Sequence, residues 1–150
     1  MSVPKSERKT STMEYIANSV SLAARVLRFS LSMPKRYTFK IGDPIFRHAE
    51  DVVFHCKAAN STYVNSQATF DLRRGHLIEA DVHLNQLEDL MEIYFETKRQ
   101  CVNQDEKPIN LNAYTEIIQL IEKERKLISG CKRSDTAAFN KQKKEAQFAG

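Results

Sequence analysis

The richest side-chain chemistry in this chain of 150 residues lies in four histidines, all within one stretch. His48 and His55 are seven residues apart, as are His76 and His83, so on a helix each pair lies on one side. If the two segments fold back on each other around residues 65 and 66, His48 comes level with His83 and His55 with His76, because each pair of numbers totals 131. Asp51 precedes His55 by four and Glu79 precedes His83 by four, so a metal site in a helix bundle is conceivable. The spacing departs from the di-metal carboxylate bundles, which use Glu-x-x-His on two helices and a Glu on each of the others. The first apolar stretch offers only Glu14. Seven residues also part the two histidine levels by about 10 Å, too far for one ion to collect all four. The histidines are read as polar flanks of core stripes, with no metal and no cofactor expected.

Nucleophiles are equally sparse. Cys56, Cys101 and Cys131 are odd in number and far apart, which fits neither a disulfide framework nor a zinc knuckle, so all three are expected as reduced thiols, with Cys56 in the core. His55 and Cys56 are adjacent, and neighbours on a helix point about 100° apart, so they form no catalytic dyad. Four glycines, at 42, 75, 130 and 150, supply no phosphate loop, dinucleotide fingerprint or nucleophile elbow. No catalytic residue is assigned, and an enzyme is not expected.

What remains is positive charge. Arg25 and Arg28, then Lys35, Arg36 and Lys40, then Arg73 and Arg74, then Lys132 and Arg133 with Lys141, Lys143 and Lys144 form the basic clusters. The net charge of +4 divides along the chain into +6 over residues 1–40, −5 over 41–130 and +3 over 131–150. Basic ends on an acidic body point to a polyanionic partner. Each cation that reaches a phosphate releases counterions, so such clusters bind RNA or DNA without reading its sequence. Phe29, Tyr37 and Phe39 near the second cluster are candidates for stacking on bases, with core packing the competing use.

The elements that must position these residues are helices. Glycine and proline number four each, too few for the turns of a sandwich or barrel, and hydrophobic residues at 41% suffice for one core. No apolar run approaches the ~20 residues that span a bilayer, and neither a signal nor an anchor is visible at the start, so a cytoplasmic protein is expected. From Ser11 or Thr12 to about Ser32, Met13, Ile16/Ala17, Val20, Ala23/Ala24, Leu27 and Leu31 recur at helical spacing until Pro34 stops the run. A second helix starts at Thr38 or Asp43 and carries Ile45, Ala49, Val52/Val53, Cys56, Ala59 and Tyr63 to a turn over Asn60 to Ser66. The third carries a heptad seam of Phe70, Leu77, Ala80, Leu84, Leu87, Met91 and Tyr94. After a polar break from Asn103 to Pro108, Asn110 or Asn112 caps a fourth helix with Tyr114, Ile117/Ile118, Ile121 and Leu127/Ile128, ending at Gly130. The expectation is an all-α, up-down-up-down antiparallel four-helix bundle over 12–131, with a flexible basic N-terminus over 1–11 and a mobile basic tail over 132–150.

Within that frame, Pro34-Lys35-Arg36-Tyr37-Thr38-Phe39, Lys57-Ala-Ala-Asn60, and Leu72-Arg73-Arg74, Leu77, Glu79-Ala80-Asp81, Leu84 and Leu87 resemble a four-helix-bundle family. It contains the 23S ribosomal RNA intervening-sequence proteins and the accessory variability determinant (Avd) proteins of diversity-generating retroelements. The likeness covers about residues 12 to 131. Asn60-Ser-Thr-Tyr63 stands where the intervening-sequence branch often has Asn-Ile-Ala-Glu-Gly, which favours the Avd-like branch. The resemblance implies a non-catalytic homopentameric barrel that associates with a reverse transcriptase and nucleic acid in mutagenic retrohoming, and it carries that contact onto Lys35, Arg36, Arg73 and Arg74. Avd proteins tend to be more basic than +4, which moves the expected contact toward the ends of this chain. Two other readings stand beside it: a structural or protein-interaction bundle without nucleic-acid affinity, and a histidine-based metal-binding bundle.

Overall fold

A computed structural model of the chain describes residues 5–101 and 106–149, and over these it is helical without a strand. Four long helices carry the fold: α1 over Lys5–Leu31, α2 over Asp43–Ser61, α3 over Gln67–Gln100 and α4 over Leu111–Ala149. A single turn at Lys35–Tyr37 and a wider π-type turn at Thr38–Gly42 lead from α1 into α2. No described helix is long and apolar enough to cross a membrane.

The helix ends follow local chemistry. Pro34 cannot continue α1, and the Ser32 N–H closes its last turn on the Arg28 and Phe29 carbonyls at 3.3 and 3.2 Å. Of the two candidate starts for the second helix, Asp43 is the one adopted, with Pro44 in the first turn, where its missing N–H costs nothing. Ser66 and Thr69 cap α3 reciprocally, each side chain accepting from the other's backbone N–H at 3.2 and 3.0 Å. Asn110 caps α4 by accepting from the Ala113 N–H at 3.1 Å. The expected break over Asn103 to Pro108 lies partly outside the described residues.

Two boundaries differ from expectation. α1 begins at Lys5, inside the segment expected to be flexible, since neither Gly nor Pro interrupts the chain between Pro4 and Pro34; residues 1–4 lie outside the described residues. α4 does not stop at Gly130 but runs on to Ala149, through the span expected to be a loose tail. A mid-helix glycine costs only ~1 kcal/mol. Against that cost, Phe139 stacks on Phe70 with centroids 4.6 Å apart, and Asp135 accepts from Arg73 at 2.6 Å.

The core confirms three stripes and corrects one. Ile45, Ala49, Val52, Cys56 and Ala59 of α2, the α3 seam from Leu77 to Tyr94, and Ile117, Ile121 and Ile128 of α4 are buried, while Tyr63 is exposed. On α1 the expected stripe is largely the outward face: Met13, Val20, Leu27 and Leu31 are exposed. The inward face is Tyr15, Asn18, Ser19, Leu22, Val26 and Phe29, continued by Met33. Both rows have helical spacing, and the polar pair Asn18 and Ser19 hides the buried one in the sequence. α2 packs against α1 and α3, and α4 against α1 and α3, so each helix has two neighbours around a shared centre.

Candidate nucleic-acid interface

The twelve basic residues fall into two groups toward opposite ends of the fold. At one end lie Arg25, Arg28, Lys35, Arg36 and Lys40, where α1 passes into α2. At the other lie Arg73 and Arg74 at the start of α3, with Lys132, Arg133, Lys141, Lys143 and Lys144 along α4.

Several of these cations are occupied within the chain. Arg73 donates to Asp135, to the Ala59 carbonyl at 2.8 Å and to the Cys131 sulfur at 3.3 Å. Arg74 donates to the Lys132 carbonyl at 2.7 Å and the Thr136 hydroxyl at 2.6 Å, over the face of Phe70. Lys132 pairs with Asp81. These three tie α2, α3 and the late part of α4 together. At the opposite end Arg36 pairs with Glu106 and donates to the Tyr37 hydroxyl at 2.8 Å. That pairing raises the Arg36 pKa. The Glu106 carboxyl is lowered, because Arg36 and Lys98 outweigh the opposing effect of its desolvation. Arg25 pairs with Glu116 at 2.5 Å. Glu106, Glu116, Asp81 and Asp135 went unnoticed as partners in the sequence, where each stands 51 to 91 residues from its cation.

Seven of the twelve, Arg28, Lys35, Lys40, Arg133, Lys141, Lys143 and Lys144, are exposed and make no ion pair among the described residues. Lys143 lies over the Phe139 ring at 4.6 Å. Arg133, Ala137, Lys141, Lys144 and Phe148 step by four, four, three and four, so they share one exposed face of α4, with Phe148 at 91% exposure. Of the three aromatics singled out for stacking, Phe29 and Tyr37 are core residues edge-on to Tyr94, at 5.8 and 5.2 Å between centroids. Phe39 is 83% exposed and remains open to a base.

The histidines adopt the registry read from their numbering. His48 and His83 approach at 3.0 Å between Nδ1 atoms, as do His55 and His76. The two levels are closer than helical rise alone gives, because the His55 and His83 rings stack with centroids 5.5 Å apart. Burial first, and then the neighbouring histidines, lower the pKa of His48 and of His55.

The core also encloses a carboxyl, that of Glu124, which is wholly buried. Asn18 donates to it at 3.4 Å and the Cys56 thiol lies 3.9 Å away. Burial pushes its carboxyl up to about 8, and pushes the Cys56 thiol up as well. A heptad pattern that places Glu124 between Ile121 and Ile128 on the inward face is the only sequence signal for it. All three cysteines are free.

Comparison with family models, with curated proteins and with solved structures finds no match for the chain.

Proposed function

We propose that this chain is a non-catalytic accessory protein that binds nucleic acid through its unpaired surface cations and assembles into a homo-oligomeric ring. The observation that carries the reading is the α4 face of Arg133, Lys141 and Lys144, which presents three charges with no internal partner beside an exposed Phe148. Arg28, Lys35 and Lys40 with exposed Phe39 form a second, smaller patch at the far end. Contacts made this way go to phosphates, with the phenyl rings stacking on whichever base is near. Arg73, Arg74 and Lys132 support the interface by holding α4 against α3.

Assembly follows from the apolar row on α1. Val20, Ala24 and Leu27 stand beside Phe46, Val53 and Phe54 of α2, forming a groove that a single chain leaves open to water. A sister copy covers it in a ring of up-down-up-down bundles, homopentameric by the resemblance to the Avd-like family. The same resemblance makes the partner a retroelement reverse transcriptase together with its RNA or cDNA. A purely protein-binding bundle is the second reading, favoured by that apolar groove alone.

A salt titration of RNA and DNA binding tests the proposal. Three phosphates contacted per chain give a slope of log K against log salt of about −2 to −3 per bound chain. Lys141→Glu with Lys144→Glu reduces that magnitude by about 1.4 to 1.8 and weakens RNA of any sequence alike. A flat response in the unaltered protein rules out the polyanion function and leaves the protein-binding reading.

A further inference from the structure

The histidine pairs have a geometry that the polyanion reading does not use. Each of α2 and α3 carries the same pattern, a histidine, an acid three residues on and a second histidine four beyond: His48, Asp51, His55 and His76, Glu79, His83. Because the paired levels place 48 opposite 83 and 55 opposite 76, the two patterns face each other tail to head.

This creates two triads whose ligand atoms lie within 4.8 Å of one another: His48, Asp51 and His83, and His55, Glu79 and His83. In the first, the two Nδ1 atoms are 3.0 Å apart and the Asp51 Oδ2 is 3.7 Å from the His83 Nδ1. An ion about 2.05 Å from each nitrogen sees them at about 94°, and the carboxylate oxygen and the His83 nitrogen at about 125°. Zinc imposes no angular preference of its own and accepts that mixture. All three side chains are half-buried, so a fourth position is open to water. His83 belongs to both triads, and the chain therefore holds one ion at a time.

We propose that His48, Asp51 and His83 form a binding site for a divalent transition metal of the zinc type, which clips α2 to α3. The imidazoles must be neutral to ligate. Without a metal, one Nδ1–H donates into the other's lone pair, and metal binding shifts that proton to Nε2. The Phe54 ring, edge-on to His55 at 5.1 Å and to His76 at 6.5 Å, shields the neighbouring level.

The test is calorimetric titration of the tag-free full chain with Zn²⁺ near neutral pH, with Co²⁺ absorption as a second readout of the ligand field. One ion per chain, bound at about 1 µM or tighter, is expected. His83→Ala and Asp51→Asn should each weaken it at least about tenfold, while His76→Ala leaves it unchanged. Circular dichroism and thermal melting of each variant separate ligand loss from unfolding. Three results overturn the proposal: no saturable binding below about 100 µM, a folded His83→Ala variant with undiminished affinity, or loss on Glu79→Gln but not on Asp51→Asn.

Discussion

Glu124 is wholly buried in the core beside Asn18 and Cys56, and a carboxyl there holds its proton far more tightly than it does in the unfolded chain. Its pKa rises from an ordinary 4.5 to about 8, with burial as the main cause. The stability this proton brings is complete below about pH 4.5 and is lost as pH climbs through 8. Glu124→Gln keeps the shape and the contact with Asn18 without the charge. Thermal melts of the two proteins should coincide near pH 5 and separate at about pH 8.5, with the variant more stable by a few kcal/mol. Parallel curves across that range would show that Glu124 is not buried as described. Arg73 and Asp135 form an enclosed ion pair across α3 and α4, each 16% exposed. Removing one partner strands the other, so Arg73→Ala should cost about 2–4 kcal/mol in denaturant unfolding, and Arg73→Met with Asp135→Leu distinctly less.

The late half of α4 decides how far the bundle extends. Beyond Gly130 its inward residues are Cys131, Asp135 and Phe139, and each touches α3. Phe139 is 7% exposed, and its stacking on Phe70 anchors the helical segment that displays Lys141 and Lys144. Phe139→Ala should therefore cost about 2–3 kcal/mol, and it should also loosen the basic face. Hydrogen exchange over residues 132–149 is the measurement that separates this from a loss confined to the core: protection should fall there first. The expected tail rested on the absence of an apolar stripe, yet one phenylalanine and one ion pair are enough to hold a helix whose neighbour already exists.

At the scale of the molecule, the outward row of α1 matters most. Val20 and Leu27 are exposed beside Phe54, which is 61% exposed, and this is the patch that the proposed ring covers. If the chain assembles as proposed, Val20→Glu with Phe54→Glu should give monomers in light scattering while leaving helix content unchanged. Loss of helix content would show instead that these residues support the fold. Under the proposed function, such a monomer should bind nucleic acid with a shallower salt dependence than the ring, because fewer cations act on one polyanion.

Spacing alone determined that the chain forms long helices, which residues line α2, α3 and the first part of α4, and that His48 meets His83 and His55 meets His76, since a tight turn between two helices fixes their register. It did not determine which face of α1 is inside, because Asn18 and Ser19 broke the apolar pattern there and Val20 and Leu27 supplied a better one on the wrong side. Nor did it determine which cations are available. That depended on acids as distant as Glu106 from Arg36 and Asp135 from Arg73, brought together only when the helices pack, and a charge paired across the fold looks in sequence the same as one left facing water.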